Sequence, residues 1–392
     1  GAHRSARVPC AAVEAGEAGS YLRAAWHNCF SAATVRMAQE AAALRAWQQA
    51  LPHNASVAER GTALRIVGED SEDPCKAQQS LRLHLGDGVL RAQAAKVRHC
   101  LAGRSLLFVG DSITRYQYIS LISLIETGRF PERCTRAHDP QAEASVVRER
   151  DWGTTRNDGW PTFYRNVSEV RLNGNEQCDC LAIGAKRTPT GKTAAQFRSC
   201  AKATWHNIDR PENRYYASSD GRIKVTFLFT SCGKEDLCTW ACDACWPEAG
   251  ARYDHLLLNA GIFSGFSAGE CYERFMARAR VRFLAPDGQA SWKTTNYPAG
   301  YSYQRVFRQR GRASPPGRDA EENAVQSRAA AASGYAVLPL GVLDGLLKQA
   351  GAALNTSMLW DDFHYEPVGY EFANLLYLTQ LCEGYFSRVA VR

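Results

Sequence analysis

The sequence predicts a three-layer α/β fold in which helices cover both faces of a mostly parallel central sheet. A short apolar run at residues 106–109 is typical of a buried strand, and a Gly-Asp-Ser turn and a segment with apolar residues at helical spacing follow it directly. Strands alternate with helical segments along the rest of the chain, which favours a parallel sheet with helical crossovers. Further strands are expected at 223–230, 255–259, 291–295 and 335–338, and helices at 269–280 and 368–381.

The two ends of the chain differ in composition. Residues 1–74 are rich in alanine and predict helices, most clearly over 32–50, so we expect a helical stem or accessory segment there. Residues 75–392 are expected to form the main domain, with a Cys-rich insertion at about 171–254. The polar stretch 305–333 is expected to be a long exposed loop before the last strand.

Ser112 is the first candidate functional residue because it follows a strand and opens a helix. Open α/β sheets hold their ligands at the carboxyl edge, where this turn lies. Free backbone N–H groups and the positive end of the helix dipole suit a nucleophilic hydroxyl and a developing oxyanion. The alternative is that Ser112 only caps the helix, since Ser and Asp are favoured N-cap residues.

Asp361 and His364 form the second candidate pair, three residues apart and just before the last predicted helix. On a turn, this spacing lets a carboxylate accept from the imidazole Nδ1–H while Nε2 points outward as a base. With Ser112 they would form a triad in the chain order Ser, Asp, His. The alternative is that Asp361 or Asp362 caps the last helix and His364 is an exposed loop residue.

An oxyanion site is expected beside Ser112, formed by its backbone N–H and by the side-chain amide of Asn259. Asn259 ends an apolar strand and should therefore point into the same crevice. The alternative is that Asn259 is only a turn residue before Gly261.

Four further residues are expected to support the site. Gly110 and Asp111 form the turn, where Asp111 would stiffen the backbone. Arg115 lies three residues after Ser112 on the same helix face, so it would hold a donor or acceptor oxygen or brace the loop carrying Asp361. Gln117 lies on the same helix.

Residues 108–121 resemble the Gly-Asp-Ser block of the plant trichome birefringence-like proteins and their PC-esterase relatives, which commonly reads Phe-Val-Gly-Asp-Ser-Leu-x-Arg-Asn-Gln-x-x-Ser-Leu. The Asp361-x-x-His364 pair is similar to the second signature of that family. Tyr116 replaces the family's Asn, and residues 262–263 replace a His-Trp pair. Supporting similarities in family order lie at 163–165, 256–261, 292–298 and 372–377.

The resemblance implies an SGNH/GDSL-type hydrolase fold with the Ser112–His364–Asp361 triad and a seryl acyl-enzyme. Characterised members are mainly polysaccharide O-acetyltransferases, and sialate O-acetylation uses a related luminal domain. The expected activity is therefore transfer of an acetyl group to a hydroxyl of a polysaccharide or glycan. The resemblance implies no bound cofactor, and the acyl donor, such as acetyl-CoA or another acetyl carrier, would be a co-substrate.

Two alternatives to the transferase stay open. A carbohydrate acetyl esterase of the same fold would pass the acyl group to water instead of a sugar. A non-catalytic glycan-binding protein would have no need of Ser112, Asp361 and His364 together, so their joint presence argues against it.

The composition is that of an ordinary globular protein. The 392 residues are 45% hydrophobic and 22% charged, enough for one large α/β domain or two small ones. The net charge of +7 comes from basic residues scattered among acids, so a nucleic-acid partner is not expected. No apolar stretch approaches the ~20 residues that a membrane span needs.

The 14 cysteines indicate the compartment. Disulfides in a secretory compartment account for all of them, and no metal is then expected. In a reducing compartment, the spacing Cys238-x3-Cys242-x2-Cys245 would suggest zinc instead.

Three glycosylation sequons add weak support for the secretory interpretation, at Asn54, Asn166 and Asn355. The family resemblance implies a Golgi lumenal domain of a type II membrane protein, with its anchor outside this sequence, or a secreted protein. The sequence gives no expectation for the oligomeric state.

Overall fold

A computed structural model describes about half of the chain. The described residues are 64–69, 71–85, 88–131, 133, 176–180, 212–229, 252–261, 269–295, 318–354, 358–359, 364–382 and 389–390. The strands are β1 (Leu64–Val67), β2 (Arg82–Leu85), β3 (Gly88–Val89), β4 (Ser105–Gly110), β5 (Glu176–Cys180), β6 (Glu212–Ala217), β7 (Lys224–Phe229), β8 (Tyr253–Leu258), β9 (Leu284–Lys293), β10 (Ala336–Leu338) and β11 (Val389–Ala390). The helices are α1 (Pro74–Ser80), α2 (Ala94–Leu101), α3 (Ser112–Thr127), α4 (Gly269–Phe283), α5 (Arg318–Ala332), α6 (Leu340–Ala353) and α7 (Pro367–Leu381).

The larger sheet of the described part has the strand order β10-β9-β8-β4-β7-β6-β5. The five strands from β10 to β7 run parallel, and β6 and β5 continue the sheet antiparallel. The expectation of a mostly parallel sheet is confirmed. Strand β4 lies between β7 and β8, so the chain order reverses there, and such a switch point is where open α/β sheets bind ligands.

Helices cover both faces of this sheet, as β4 illustrates. Leu106 and Phe108 point into a cluster that includes α3, α6 and α7, whereas Leu107 and Val109 point into a cluster with α4 and α5. Because successive side chains of a strand alternate between faces, a strand covered on both faces is apolar throughout, as this one is. The three-layer arrangement is therefore confirmed.

Helix α3 carries the turn after β4 into the core. Its side chains are buried almost from end to end, and Gly128 in the left-handed conformation (φ 83°) ends it. It packs against α7, with Asn374 Nδ2 donating to the carbonyl oxygen of Gln117 at 3.0 Å. The start of α3 and the start of α7 thus share one region of the molecule.

A second, four-stranded antiparallel sheet corrects the expected domain boundary. It has the order β1-β2-β3-β11, and Leu64 to Val67 pair with Leu85 to Arg82. The helical segment expected over 1–74 therefore contains strand β1, which pairs across the expected boundary with a strand of the main domain. The expected helix at 32–50 lies outside the described residues.

The expected exposed loop at 305–333 is also corrected, because α5 occupies 318–332. The polar composition of the stretch, with Gly-Arg, Pro-Pro and Glu-Glu pairs, suggested a loop. Acidic residues in a first turn instead suit the helix dipole, and the alanines at 329–332 favour helix. Gln326, Ala329 and Ala330 are buried.

Strand β9 is longer than expected. It begins at Leu284 and runs through Pro286-Asp287-Gly288, three residues that ordinarily signal a turn. A register irregularity between Tyr253 and His255 of the neighbouring strand β8 accommodates this part of the chain. The strand ends at Lys293, two residues earlier than expected.

A disulfide joins Cys100 at the end of α2 to Cys382 at the end of α7, with a sequence separation of 282. Cys75 and Cys271 are disulfide-bonded as well. Cys238, Cys242 and Cys245 lie outside the described residues. Within the described ranges, no helix has both the length and the apolar character needed to cross a bilayer.

Candidate active site

The turn after β4 is held by the Asp111 side chain. Asp111 Oδ1 accepts from the N–H groups of Ile113 at 3.1 Å and Thr114 at 3.4 Å, so Asp111 is the N-cap of α3. Ser112 is the first residue of the helix. The alternative of Ser112 as the capping residue is thus excluded, since its neighbour caps the helix.

Gly110 is required at the end of β4 because a Cβ atom there would collide with the side chain of Thr114. Thr114 is fully buried and folds back beneath the turn. The close approach of these two residues makes the turn tight. It follows that the first helical turn, and Ser112 with it, has a fixed position relative to the strand.

His364 meets Ser112 across 252 residues of sequence. The distance from His364 Nε2 to Ser112 Oγ is 2.8 Å, and the pair is partly buried. The two remote segments singled out in the sequence therefore converge at the carboxyl edge of β4. The spacing is that of a hydrogen bond between the serine hydroxyl and the imidazole.

The loop that carries His364 is closed at its base. Leu359 and Tyr365 form an antiparallel bridge, and Glu366 N donates to Met358 O at 3.0 Å. His364 thus directly precedes one bridge partner, which restricts where its ring can go. Asp361 lies in the five-residue stretch between the bridge partners, but outside the described residues.

Aromatic rings hold the imidazole from the side. The Tyr116 ring stands 5.1 Å from the His364 ring with the planes at 84°, and Tyr370 packs on Tyr116 at 5.5 Å. Tyr370 also accepts a hydrogen bond from Tyr365 N at 3.2 Å. The tyrosines therefore connect α3, α7 and the His364 loop in one packed group.

Tyr365 anchors this group to α6. Its hydroxyl donates to Asp344 Oδ1 at 2.9 Å, and Asp344 Oδ2 accepts from Lys348 Nζ at 2.6 Å. Burial, together with the nearby Asp344 carboxylate, raises the pKa of Tyr365 well above its usual range. Tyr365 consequently stays a neutral donor, and the loop keeps its anchor.

Asn259 does not have the expected orientation. Its Nδ2 donates to Lys293 O at 2.7 Å and to Thr295 Oγ1 at 3.2 Å, and its Oδ1 accepts from Gly261 N at 2.9 Å. Both donor hydrogens of the amide are therefore used in joining the ends of β8 and β9. This corrects the expectation that the amide would bind an oxyanion.

Arg115 and Gln117 differ in position. The Arg115 guanidinium lies 4.7 Å from the centroid of the Tyr116 ring, next to the ring that packs on His364. Gln117 is buried and its carbonyl oxygen accepts from Asn374, so it lies in the interface between α3 and α7. Arg115 is thus beside the site, whereas Gln117 supports it from the core.

Lys293 is a residue that sequence reasoning missed. It ends β9, is fully buried, and donates from Nζ to Thr114 Oγ1 at 2.5 Å. Burial lowers its pKa to about 8, although the nearby Asp111 carboxylate opposes this shift. The signal in the sequence was a lysine directly after Trp292, within the strand expected at 291–295.

Tyr116 was noticed in the sequence only as a departure from the family pattern. It stands four residues after Ser112, so helical spacing alone places it on the same face. That spacing could have indicated its contact with His364. The sequons at Asn54, Asn166 and Asn355 lie outside the described residues.

A scan against protein-family models finds no match for the chain. A search of curated proteins finds no match either. Among solved structures, the chain is similar to LAE5, an α/β hydrolase enzyme from the metagenome of Lake Arreo, Spain, with a TM-score of 0.31 and 12% sequence identity. That likeness covers 71% of this chain and 95% of the LAE5 chain.

Proposed function

We propose that this chain is an O-acetyltransferase that carries an acetyl group on Ser112 to a hydroxyl of a polysaccharide or glycan. The observation that carries the proposal is the 2.8 Å distance between Ser112 Oγ and His364 Nε2. A hydroxyl within hydrogen-bonding reach of an imidazole is the arrangement by which enzymes activate a serine. The resemblance of residues 108–121 to the trichome birefringence-like proteins supports transfer to a sugar.

In the first half of the reaction, Ser112 Oγ forms a bond to the carbonyl carbon of the acyl donor while His364 Nε2 takes the hydroxyl proton. The tetrahedral intermediate then collapses, and the bond to the leaving group breaks. The imidazolium gives its proton to that group, which is the thiol if the donor is acetyl-CoA. The product is an acetyl ester on Ser112.

In the second half, a sugar hydroxyl gives its proton to His364 and its oxygen attacks the acetyl carbon. Ser112 Oγ leaves and recovers the proton from the imidazolium. Water in place of the sugar would yield acetate, which is the esterase reaction. Transfer therefore depends on binding the acceptor close to the ester and keeping water away from it.

The start of α3 supports stabilisation of the oxyanion. The N–H groups of Ile113 and Thr114 donate to Asp111 Oδ1, and that of Arg115 donates to Asp111 O at 3.0 Å. The Ser112 N–H makes no such bond within the described part of the chain, and it lies at the positive end of the helix dipole. We assign it as an oxyanion donor, which such sites place close to the reacting carbonyl.

Asp361 completes the proposed triad on the strength of its spacing from His364 and the family resemblance. In this role its carboxylate would accept from Nδ1–H, fix the tautomer and stabilise the imidazolium. The disulfide between Cys100 and Cys382 supports an oxidising compartment, consistent with a Golgi lumenal or secreted enzyme.

The test is to incubate the protein with an acetyl donor and a panel of glycans, and to measure acetylated sugar and free acetate separately. Acetylated sugar above the hydrolytic background is the expected result and identifies the acceptor class. Free acetate alone would establish the esterase. No turnover of any acetyl ester would overturn both.

Three variants link the activity to the site. Ser112→Ala and His364→Ala should each abolish turnover while the melting temperature stays near that of the wild type. Ser219→Ala is the matched control, because Ser219 lies at the turn between β6 and β7, at the other end of the sheet. Near-wild-type turnover in either site variant would exclude the mechanism.

A further inference from the structure

Lys293 reaches from one strand to the helix that presents Ser112. In the sheet, β8 separates β9 from β4. The Lys293 side chain spans this gap, and its Nζ donates to Thr114 Oγ1 at 2.5 Å, in the first turn of α3. Its own carbonyl oxygen is held by the Asn259 amide. Hydrogen bonds therefore fix both the backbone and the ammonium of Lys293 beneath the turn that carries Ser112.

A buried ammonium is costly, because a charge loses its hydration in the protein interior. Lys293 is completely buried, and Asp111 is the charged group among the described residues whose field favours the ammonium form. Thr114 lies between them, since its hydroxyl oxygen accepts from Lys293 and its N–H donates to Asp111 Oδ1. The arrangement is a buried cation and a buried anion bridged by one threonine.

The negative charge of Asp111 is unfavourable for the proposed acyl transfer, in which an oxyanion develops nearby. It is 1% exposed and directly precedes the nucleophile. Its second carboxylate oxygen lies against Gly261, where an added Cβ atom would be 3.2 Å from it. An uncompensated carboxylate in this position would oppose the negative charge that develops on the oxyanion during acyl transfer.

We propose that Lys293 is a positioning residue whose buried ammonium holds Thr114 and the Asp111 N-cap under Ser112 and offsets the Asp111 charge beside the developing oxyanion. The proposal rests on the function proposed above and adds an electrostatic role for a residue that touches neither substrate nor Ser112. It explains why the last, fully buried residue of β9 is a lysine. An apolar side chain of the same length would avoid the cost of burying a charge at this position.

The test is a double-mutant cycle on the rate at which a fluorophosphonate labels Ser112, located by mass spectrometry. Lys293→Met keeps the length of the side chain and removes the charge, and Asp111→Asn keeps an N-capping oxygen. We expect Lys293→Met to label roughly tenfold to hundredfold more slowly, at a temperature well below its melting point, and to melt at a lower temperature than the wild type because the buried Asp111 charge loses its compensation. Combining it with Asp111→Asn should restore much of the rate, because both charges are then absent.

Two results would overturn the inference: wild-type labelling by Lys293→Met, or a double variant no faster than Lys293→Met. A labelling rate that falls only in proportion to the unfolded fraction of Lys293→Met would reduce Lys293 to a structural role. Failure of the proposed function would look different, since Ser112 of the wild type would then remain unlabelled.

If Ser112 of the wild type is not labelled, the interaction between the Lys293 and Asp111 charges is measured instead by NMR titration of the Lys293 ammonium. Asp111→Asn should make Lys293 lose its proton at lower pH than in the wild type. Equal titration in the two proteins would show that the charges do not interact and would overturn the inference.

Discussion

The ring of Tyr116 stands edge-on to the imidazole of His364, with the centroids 5.1 Å apart. Tyr116 belongs to the same helix as Ser112, one turn further along. Helix α3 therefore carries Ser112 and also supplies the ring that packs against His364. The relative placement of Ser112 and His364 depends on this contact as well as on the bridge between Leu359 and Tyr365.

Tyr116→Ala should slow labelling of Ser112 about tenfold to hundredfold, because an imidazole without its side wall no longer holds the 2.8 Å contact. Since Tyr116 is nearly buried, the same change should lower the free energy of unfolding by about 3 kcal/mol or more. Labelling kinetics and urea unfolding measure the two effects.

Tyr116→Phe separates the ring from the hydroxyl, because it keeps the ring contact with His364. It should label Ser112 at close to the wild-type rate. If Phe were as slow as Ala at this position, the hydroxyl would be the functional group and the packing argument would be wrong.

Local sequence signals predicted the strand β4, the turn and the helix α3, because a strand-turn-helix unit is encoded within some twenty consecutive residues. The spacing of His364 from Asp361 just before an amphipathic helix, together with the family resemblance, also indicated His364. The contact between Ser112 and His364 needs 252 residues of intervening chain to fold, so spacing alone suggested it without establishing it.

Other features depend on neighbours that no local pattern reveals. Asn259 was correctly placed at the end of a strand, but its hydrogen bonds to Lys293 and Thr295 are set by the neighbouring strand. The partner of Lys293 is a threonine that lies 179 residues away in the chain. Strand β1 was obscured by the alanine-rich segment before it.

Gly110→Ala should damage both stability and labelling. The new methyl group would lie in the space of Thr114, a buried side chain that the hydrogen bond to Lys293 keeps from turning away. Overpacking of this kind costs about 1–3 kcal/mol, and the turn that holds Ser112 must shift to relieve it. Thermal unfolding and the Ser112 labelling rate are the measurements.

Gly269→Ala is the matched control, because the nearest atom to its new methyl group is 3.7 Å away, on Val325. It should resemble the wild type in both assays. Equal behaviour of the two alanine variants would mean that the turn adjusts without cost and that Gly110 is not needed for close packing.

Replacing both Cys100 and Cys382 by Ser should lower thermal stability strongly. The disulfide closes a loop of 282 residues, and in the chain-entropy account a loop of this size contributes on the order of 5 kcal/mol. Differential scanning calorimetry should show a melting temperature reduced by several degrees or more. The labelling rate of Ser112 at low temperature should stay near that of the wild type, because the disulfide joins the ends of α2 and α7 that lie away from Ser112. A large loss of labelling in the folded variant would contradict this.

His255 should make the protein less stable in mild acid. Burial and the neighbouring Arg104, whose Nη1 lies 2.9 Å from its Nε2, lower its pKa from 6.5 to about 4. The unfolded chain then binds more protons than the folded one, so this contribution to stability is complete above about pH 6.5 and is lost as the pH falls towards 4. The loss amounts to about 1.4 kcal/mol per pH unit, or roughly 3 kcal/mol in all. Urea unfolding should show a lower free energy of unfolding at pH 5 than at pH 7 in the wild type and in the exposed-histidine control His99→Gln. The difference should be much smaller in His255→Gln. The same pH dependence in all three proteins would mean that His255 is protonated in the fold.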